Sequence, residues 1–488
     1  MKILFVGRSV YHFTYYESVI RSLYDSGHSI TLLFDQGWSK NQPHEALRRA
    51  CKDMPTVKVG WLRRRADGWR NVLFGTRELR SVSSYLRRPE QSDFYLKRWQ
   101  NYLPPNWRER IEKPFYRWLL STWMARGLLS VFEYATPADD GILTDIRIRS
   151  PDALVVSPGN MRFSEEIEYI KAARKLGVPS AVVVLSWDNL TTKGLLHVRP
   201  DLLLAWNEAH AREAIRIHKF PPERIILTGS PFFDKWFKSQ GMAIPREAFL
   251  NRVGITNGRR FILYLGSSSN IASDETWLVK AIDAEIRNHY DLDVRSLSLL
   301  VRPHPANTRM YESLSSEGFV VWPKQGSLPE SEESQIDFFN SLVHCEAAVG
   351  INTSGMVDAV IVDRPVLTVL TKTYEKTQAM AEHFQLLINS NVLGVSRSPS
   401  ECIDLLAGLM HGLKDPQKEA RRRFVEKYIR PLGIDVPAGL IAAAAIEELA
   451  KGTPAEAIPA TLKGRIGQLA LGGKTIELHS RSNRCRTQ

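Results

Sequence analysis

The stretch Ala347–Leu370, AAVGINTSGMVDAVIVDRPVLTVL, decides the fold of this 488-residue chain. A short apolar run leads into the small-residue loop Gly350–Gly355, a helical pattern begins at about Ser354, and a second apolar run follows Pro365. Strand, tight loop, helix and strand together form a βαβ unit. The pattern therefore predicts a parallel sheet, because parallel strands need a crossover of this kind.

The loop of this unit is suited to an anion. The first N–H groups of a helix have no partner within the helix and lie at the positive end of its dipole, so they suit a phosphate or pyrophosphate. Asn352, Thr353 and Ser354 add side-chain donors, and Gly355 leaves the backbone accessible. The same residues also fit an ordinary capped helix, and this stretch alone leaves both interpretations open.

Two further strand ends carry polar motifs. Arg302-Pro303-His304-Pro305 follows an apolar run, and Gly266-Ser267-Ser268 follows the run Phe261–Leu265. Residues just past the carboxyl end of a parallel strand line the ligand crevice. Arg302 offers a fork that matches phosphate and His304 a further donor, although a strand-ending turn with solvated side chains is the alternative. Three anion-suited turns in one region are less expected by chance than one, which predicts a phosphate site.

Length and composition restrict the class of protein. A chain of 488 residues is expected to form two or more domains, and a hydrophobic fraction of 43% is ordinary for a globular protein. No apolar run approaches the roughly 18 residues that span a bilayer. The first apolar run leads into a Gly-Arg turn and is expected to be a strand, not a signal peptide. The scattered cysteines, Cys51, Cys345, Cys402 and Cys485, show no metal-ligand or disulfide pattern, which predicts a cytosolic protein.

The net charge of +12 is concentrated in one stretch. Lys58–Arg126 contains 16 Lys or Arg against 6 Asp or Glu, and six of the 12 tryptophans. Such a segment suits an anionic membrane surface or a lipid-linked acceptor, a nucleic acid, or a solvated insertion packed by its aromatic residues. No nucleic acid is expected as a partner, because the sequence has no helix-turn-helix, zinc-knuckle or RNA-recognition signature.

The first half of the chain offers candidates for acceptor chemistry. His12 lies near the start of the first predicted helix, where it is either a general base or acceptor contact or an ordinary surface histidine. Arg8 and Glu17 beside it are predicted acceptor contacts. The strand-end loop Ser186–Gly194 contains Trp187, Asp188 and Asn189, residues that suit a sugar ring. An Asx-type turn pinned by a buried tryptophan is the alternative.

The alternation of strands and helices predicts the following domains. Residues 1–245 form a Rossmann-like acceptor domain with a helical insertion at about 60–149, and residues 246–436 form a Rossmann-like donor domain. Residues 437–451 form a helix, and residues 452–488 form a basic tail expected to be disordered.

The order of these motifs resembles the GT-B glycosyltransferases. More narrowly, Arg302-Pro303-His304-Pro305 resembles the R-x-H-P element of the CDP-glycerol glycerophosphotransferase and capsule-polysaccharide transferase group. Gly350–Pro365 resembles that group's second donor-site element. Ser186–Asn189 and Thr228–Asp234 are similar to elements of other GT-B proteins. The resemblance covers roughly residues 150–390 and the first forty, but not the basic stretch or the tail.

The resemblance implies an α/β fold of two Rossmann-like domains facing a cleft. Arg302 and His304 would hold the donor phosphates, together with Gly266, Ser267 and Ser268 at the neighbouring strand end. Asn352, Thr353, Ser354 and Gly355 would hold the pyrophosphate, and Asp358 a donor hydroxyl. His12 or Asp188 would act as the base. No metal and no cofactor are expected; the donor would be a nucleotide-diphosphate sugar or a CDP-polyol.

The expected activity is transfer of a sugar or polyol phosphate to a hydroxyl of a glycan or lipid-linked acceptor in cell-surface polysaccharide synthesis. The expected location is the cytoplasm or the inner face of the cell membrane, with peripheral contact to anionic lipid. The donor-site motifs quoted above contain no E-x-x-x-x-x-x-E element, and retention or inversion is left open. A nucleotide-sugar 2-epimerase and a non-catalytic module that binds membranes or polyanions are the alternatives.

Overall fold

The computed structural model describes residues 1–40, 44–88, 93–238, 241–256, 258–324, 331–412 and 415–462. Most of the tail predicted from residue 452 onward, residues 463–488, therefore lies outside the described residues. The described residues fall into two compact units. The first lies within Met1–Pro89, Tyr95–Asp234 and Glu426–Gln488, and the second within Glu90–Phe94 and Lys235–Val425.

The first unit is built on a parallel sheet of seven strands in the order β3-β2-β1-β4-β5-β6-β7. The strands are β1 (Lys2–Gly7), β2 (Ser29–Phe34), β3 (Lys58–Trp61), β4 (Ala153–Ser157), β5 (Ser180–Val183), β6 (Leu202–Ala205) and β7 (Ile225–Leu227). The central strands are short apolar runs buried on both faces, as expected for a parallel sheet covered by helices. The α/β class predicted for this part of the chain is confirmed, and the predicted domain bounds 1–245 remain a prediction.

Helices cover both faces of this sheet, and six described helices lie between β3 and β4. The helices are α1 (Phe13–Asp25), α2 (Gln36–Ser39), α3 (Glu45–Asp53), α4 (Trp69–Tyr85), α5 (Asp93–Gln100), α6 (Pro105–Ile111), α7 (Pro114–Ser121), α8 (Trp123–Ala135), α9 (Asp140–Arg149), α10 (Glu166–Leu176), α11 (Asn189–Thr192) and α12 (Glu208–His218). The stretch after β3 is helical, as the sequence indicates. That it is an insertion into the domain remains a prediction.

A buried ion-pair network joins the helical stretch to the helices of the sheet. Arg77 on α4 pairs with Glu133 on α8 at 2.7 Å and with Glu168 on α10 at 2.5 Å. Lys171 pairs with Glu133 at 3.2 Å, and Arg65 with Glu168 at 2.8 Å. Removing one member would strand a buried charge, which costs about 3–5 kcal/mol. The network thereby fixes α4 and α8 against α10.

The second unit contains a parallel sheet of six strands in the order β10-β9-β8-β11-β12-β13. The strands are β8 (Phe261–Leu265), β9 (Ser298–Arg302), β10 (Val320–Val321), β11 (Ala348–Gly350), β12 (Val366–Val369) and β13 (Gly394–Ser396). The stretch that opens the sequence analysis forms β11, the helix α19 (Gly355–Ile361) and β12, so the βαβ prediction is confirmed. The strand predicted at residues 319–322 is shorter, because the two residues of β10 pair only with β9 at the sheet edge.

The helices of the second unit complete its two covering layers. They are α13 (Asp234–Phe237), α14 (Arg246–Val253), α15 (Thr276–Asn288), α16 (Leu292–Arg295), α17 (Glu312–Ser316), α18 (Glu332–Val343), α19 (Gly355–Ile361), α20 (Glu382–Asn389), α21 (Pro399–Met410) and α22 (Lys418–Phe424). Among the helices of the described residues, none has the length and apolarity to cross a bilayer.

Helix α23 (Ala438–Ala450) packs on α1 in the first unit. Asp234 holds its start: Oδ1 accepts the Ala438 N–H at 3.0 Å, and Oδ2 accepts the Gly439 N–H at 2.8 Å. A Cβ on Gly439 would lie 2.6 Å from the backbone carbon of Ser18 on α1. Glycine at this position therefore allows the two helices to touch.

Candidate functional site

The carboxyl ends of β8, β9 and β11 lie side by side in the second unit. Leu265 is in register with Arg302 on one side and with Gly350 on the other. Because neighbouring strands lie about 4.8 Å apart, the backbones of Arg302 and Gly350 are separated by roughly 10 Å. The three motifs that the sequence singles out therefore begin at one edge of one sheet, at the spacing of a small ligand.

Arg302 is a buried cation without a partner for one of its nitrogens. Its side chain is 5% exposed, and Nη1 has no hydrogen-bond partner among the described residues. Asp337, whose charge favours the guanidinium, is itself paired with Arg252 at 2.6 Å. Burial lowers the pKa of Arg302 to about 10, so it is charged at pH 7. A buried charge without compensation is costly, which indicates that an anion completes this site.

His304 follows β9 and is half-buried. Burial lowers its pKa to about 4, so the ring is neutral at pH 7 and offers a single N–H instead of a second positive charge. A Cβ on Gly266 would lie 3.0 Å from the His304 backbone nitrogen. Gly266 therefore lets the loops after β8 and β9 approach each other closely.

Glu275 organises the loop after β8. Its Oε1 accepts the Ser267 N–H at 2.5 Å and the Tyr311 hydroxyl at 2.6 Å, and its Oε2 accepts the Tyr264 hydroxyl at 2.8 Å. Ser267 is buried, whereas Ser268 is half-buried and exposes part of its side chain. This carboxylate was not predicted from the sequence. The one sequence feature that points to it is weak: an acidic residue directly before α15, eight residues after Ser267, can accept a hydrogen bond from the loop.

The loop after β11 contacts the loop after β8. The Asn352 N–H lies 3.5 Å from Ser267 Oγ. Asn352 Nδ2 donates to the Thr377 carbonyl at 2.6 Å and lies 3.1 Å from His383 Nε2, which fixes the amide orientation. Asn352 Oδ1 is buried and has no hydrogen-bond partner within the described part of the chain. It is a free acceptor at the same edge of the sheet as Arg302, suited to a ligand hydroxyl or N–H.

The remaining loop residues precede a short helix. Helix α19 begins at Gly355, close to the predicted start, and has seven residues. The Ser354 side chain is exposed and makes no capping hydrogen bond, whereas Thr353 is buried. The Ser354 hydroxyl is therefore available to a ligand, and the side-chain capping considered from the sequence is not observed for it.

Asp358 lies inside α19 and is buried. Its Oδ1 accepts the Trp236 Nε1–H at 2.5 Å. Burial raises its pKa to about 6, while Lys235 and the indole hydrogen bond act in the opposite direction. In the structure the Asp358 carboxylate is hydrogen-bonded to the Trp236 indole. Its contact with a donor hydroxyl remains a prediction.

In the first unit, Arg8 and His12 follow β1. Arg8 is buried; its Nη1 donates to the Arg162 carbonyl at 2.5 Å, and its Cζ lies 3.9 Å from the centroid of the Trp38 ring. His12 ends a short 3₁₀ turn before α1, and its Nδ1 has no hydrogen-bond partner among the described residues. Burial, with Arg8 and Lys193, lowers the pKa of His12 to about 3. His12 is therefore a neutral proton acceptor at pH 7.

Glu17 lies apart from this arrangement. Its carboxylate pairs with Arg21 at 2.9 Å and with Arg49 at 3.8 Å. The structure therefore gives Glu17 partners on α1 and α3, and its assignment as an acceptor contact remains a prediction.

The loop after β5 is held by its own polar residues. Asp188 accepts hydrogen bonds from the Ser186 hydroxyl at 2.6 Å and the Thr192 hydroxyl at 2.7 Å, and it pairs with Lys193 at 2.9 Å. Asn189 Oδ1 accepts the Leu185 N–H at 2.9 Å. These bonds match the turn interpretation of the loop. Lys193, which was not assigned a role from the sequence, is held by Asp188, and its positive charge acts on His12.

Two buried histidines support the same loop from α12. His210 Nε2 donates to the Trp187 carbonyl at 3.2 Å, and His218 Nε2 donates to the Leu190 carbonyl at 2.9 Å. His218 Nδ1 accepts the Leu196 N–H at 3.1 Å. Burial lowers the pKa of each to about 4, so both are neutral and positioned to hold the loop that carries Trp187.

One group of residues in the described ranges has metal-ligand spacing. Atoms of Asp291, Asp293 and His411 all lie within 4.8 Å of one another. Asp291 and Asp293 precede β9, at the amino edge of the sheet, whereas Arg302 and His304 lie at its carboxyl edge. The group is thus remote from the strand ends described above, and the expectation of a reaction without metal stays untested.

Solved structures share this architecture. UDP-GlcNAc 2-epimerase from Neisseria meningitidis bound to UDP-GlcNAc aligns with a TM-score of 0.52 at 13% identity, over 92% of this chain and 100% of that chain. S. aureus MnaA with UDP gives 0.51 at 11%, over 92% and 97%. A glycosyltransferase from Rickettsia africae gives 0.50 at 10%, over 92% and 98%. At these identities the likeness concerns the fold, and the chain has the GT-B fold that its motifs predict.

Comparison by sequence adds no family. No protein-family model matches the chain, and no curated protein matches it.

Proposed function

Starting from a GT-B fold, we propose that this chain is a glycosyltransferase that uses a nucleotide-activated donor and needs no metal. The donor would be a nucleotide-diphosphate sugar or a CDP-polyol, and the acceptor a hydroxyl of a glycan or lipid-linked molecule in cell-surface polysaccharide synthesis. The observation that supports this most is the buried guanidinium of Arg302 at the carboxyl edge of the second sheet, whose Nη1 has no hydrogen-bond partner among the described residues.

The donor chemistry is assigned to the second unit. When a sugar is transferred, the departing nucleoside diphosphate gains negative charge as its bond to the sugar breaks; when a polyol phosphate is transferred from a CDP-polyol, the departing CMP gains it as the pyrophosphate bond breaks. A preorganised cation stabilises that charge in either case. Arg302 Nη1 would supply the positive charge, while neutral His304 and the Ser354 hydroxyl would donate hydrogen bonds to phosphate oxygens. Asn352 Oδ1 would accept a hydrogen bond from the nucleotide or sugar. Arg302 Nη1 and Asn352 Oδ1 have no hydrogen-bond partner within the described residues, so a ligand could bind these two atoms without breaking one.

The acceptor chemistry is assigned to the first unit. A base must remove the proton of the attacking hydroxyl. His12 is neutral and has an unoccupied Nδ1, which makes it the better candidate. The Asp188 carboxylate already accepts hydrogen bonds from Ser186 and Thr192 and is paired with Lys193, so its oxygens are engaged within the loop. The proposed base is therefore His12. Asp188 would hold the loop after β5 through Ser186 and Thr192, and would hold Lys193 through their ion pair.

The first experiment identifies the nucleotide. Thermal unfolding of the full chain is measured with UDP, CDP, GDP and dTDP, with and without added Mg²⁺, and one diphosphate is expected to raise the midpoint through preferential binding to the folded state. The corresponding nucleotide sugars are then incubated with glycan and lipid-linked acceptors. Release of nucleoside diphosphate that depends on the acceptor supports transfer. Equal lack of response to all four diphosphates, with and without Mg²⁺, would contradict the proposal.

The same incubation separates the alternatives. Conversion of the sugar to its 2-epimer without an acceptor would identify the chain as a nucleotide-sugar 2-epimerase. Binding of a nucleotide without any turnover would favour a non-catalytic module. The sequence argument against the epimerase is that the loop after β1 offers His12 and Glu17 only, whereas an epimerase needs several carboxylates around the sugar. The ion pairs of Glu17 with Arg21 and Arg49 strengthen that argument.

A further inference from the structure

Helices α7 and α8 expose large apolar side chains to solvent. The exposed set comprises Phe115 (61%), Trp118 (62%), Trp123 (80%), Met124 (56%), Leu128 (67%) and Val131 (66%). Met124, Leu128 and Val131 are spaced by four and three residues, so they form one stripe along α8. A stripe of this kind normally faces a core. Here it faces outward within the described residues, whereas Leu120 and Glu133 on the same two helices point inward.

The charge of this surface is positive. Between residues 113 and 132 the chain has Lys113, Arg117 and Arg126 and no acidic residue. Tryptophan, long aliphatic side chains and interspersed cations characterise surfaces that enter the interfacial region of a bilayer. The acidic residue next along α8, Glu133, is buried and paired with Arg77, so it does not offset this charge at the surface.

A cationic cavity adjoins the apolar stripe. It has a volume of about 260 Å³, and its lining includes Trp123, Arg80, Arg126, Arg199 and Lys219 but no acidic residue. Trp123 lines the cavity and directly precedes Met124, the first residue of the stripe. None of the four cations forms an ion pair within the described part of the chain; Arg80 donates only to the His197 carbonyl at 3.1 Å and to the Ser130 hydroxyl at 3.4 Å.

Two arginines of the cavity have lowered pKa values, which an anion beside them would raise. Burial is the main cause of the fall in the pKa of Arg80 to about 10; Arg77 and Arg126 act in the same direction, whereas Glu133 acts against them. Burial and Arg87 lower the pKa of Arg126. A phosphate in the cavity would relieve both effects. A lipid whose phosphate enters this cavity would place its acyl chains beside Trp123 and the α8 stripe.

We propose that α7 and α8 form a docking surface for an anionic phospholipid membrane, with a lipid phosphate held in the adjoining cavity. The stripe supplies apolar burial and the cavity supplies recognition of the headgroup phosphate. The inference does not depend on the proposed transfer reaction, because vesicle binding is measured without donor or acceptor. Either proposal can therefore fail alone.

The test uses the full chain and vesicle co-sedimentation. Vesicles containing phosphatidylglycerol in phosphatidylcholine are compared with vesicles of phosphatidylcholine alone. The triple variant Trp118→Ser/Leu128→Ser/Val131→Ser is expected to lose binding by about tenfold or more, because three apolar groups no longer enter the interface. The double variant Arg126→Gln/Arg199→Gln is expected to lose the preference for phosphatidylglycerol. The matched control Tyr290→Ser/Leu292→Ser removes equally exposed apolar side chains in the second unit and should bind like the wild type.

Three results would overturn the inference. The first is wild-type vesicle binding by the triple variant with an unchanged circular-dichroism spectrum. The second is a wild-type dimer in light scattering that the triple variant dissociates, which would identify a second copy of the chain as the occupant. The third is an unchanged preference of Arg126→Gln/Arg199→Gln for vesicles containing phosphatidylglycerol, which would show that the cavity does not hold the headgroup phosphate.

Discussion

The guanidinium of Arg302 lies 4.9 Å from the centroid of the Phe338 ring, and its Nη1 is buried with no acceptor among the described residues. The aromatic ring stabilises the cation on one side. The Arg302 backbone lies beside Leu265, in register with Gly350 on the far side, so the residue belongs to the strand ends that carry Gly266 and Gly350. A cation buried in this way lowers the stability of the free protein, and binding of an anion beside it restores that stability.

Replacing Arg302 tests this relationship. Arg302→Met is expected to weaken binding of the stabilising nucleoside diphosphate by about 10- to 100-fold, the range for loss of charged hydrogen bonds. The unliganded variant should be as stable as the wild type or more stable, because a packed apolar side chain replaces an uncompensated charge. Calorimetric titration and thermal unfolding measure the two effects. Arg309→Met, at an exposed arginine in the same connection, is the control; equal losses in both variants would contradict a specific role for Arg302.

His304→Ala tests the second donor. Because His304 is neutral at pH 7, its loss should remove one hydrogen bond to phosphate and not a charge. We expect turnover to fall by about 100-fold, in the range for removing one preorganised donor to developing charge, with an unchanged thermal midpoint. The affinity for nucleoside diphosphate should fall less than in Arg302→Met. Wild-type turnover by His304→Ala would remove His304 from the phosphate site, and His44→Ala serves as the control for loss of a histidine elsewhere.

Asp358→Asn separates a structural from a ligand-binding role. The raised pKa of Asp358 means that the folded protein keeps a proton that the unfolded chain releases between pH 3.8 and about 6. Stability from this residue is therefore present at low pH and lost as pH rises through that window, by up to about 3 kcal/mol. Asn keeps the acceptor for Trp236 without the charge. The variant should gain stability relative to the wild type between pH 4 and pH 7, measured by urea unfolding.

The outcome for ligand binding distinguishes the two roles of Asp358. If its carboxylate holds a donor hydroxyl, Asp358→Asn weakens binding of the nucleotide sugar but not of the nucleoside diphosphate. Equal affinities for both ligands in variant and wild type would restrict Asp358 to the contact with Trp236. A pH profile of stability identical to that of the wild type would contradict the buried, proton-holding carboxylate.

The sequence predicted the edge of the second sheet well, for a physical reason. Short apolar runs ending in Gly266, Arg302 and Gly350 can only be strands buried on both faces, and parallel strands place their carboxyl ends together. The register that aligns Leu265 with both Arg302 and Gly350 follows from that rule once the strand order is known. The order itself depends on helix packing, which single motifs do not encode.

The sequence did not predict which polar residues serve the fold. Asn189 and Asp188 have the residue types of a sugar site, yet their hydrogen bonds close the loop on itself. Glu275 has the appearance of an ordinary helix-start acid, yet it joins three segments through Ser267, Tyr264 and Tyr311. Partners of this kind come from tertiary structure, so residue type and spacing leave them undetermined.

The buried histidines of α12 predict an acid-sensitive first unit. The pKa of His210 and of His218 lies at about 4 in the folded protein and near 6.5 when unfolded. Their contribution to stability is complete above pH 6.5 and is lost as pH falls from 6.5 towards 4, by at most about 3 kcal/mol each. His210→Gln should reduce the slope of unfolding free energy against pH in this window. An unchanged slope, with His44→Gln as control, would mean that His210 is not held neutral.

The contact of α23 with α1 gives a prediction with a matched control in the same chain. In Gly439→Ala the new Cβ would lie 2.6 Å from the Ser18 backbone carbon, so α23 must move away from α1, at an expected cost of about 1–3 kcal/mol for overpacking. Ser18 cannot simply retract, because its hydroxyl donates to the Pro231 carbonyl at 3.1 Å. Gly127→Ala places the same methyl group in α8 with nothing within 4 Å and should stabilise the protein by about 0.5–1 kcal/mol through helix propensity. Urea unfolding of both variants measures the difference. Equal effects of the two substitutions would show that α23 does not rest on α1 at Ser18.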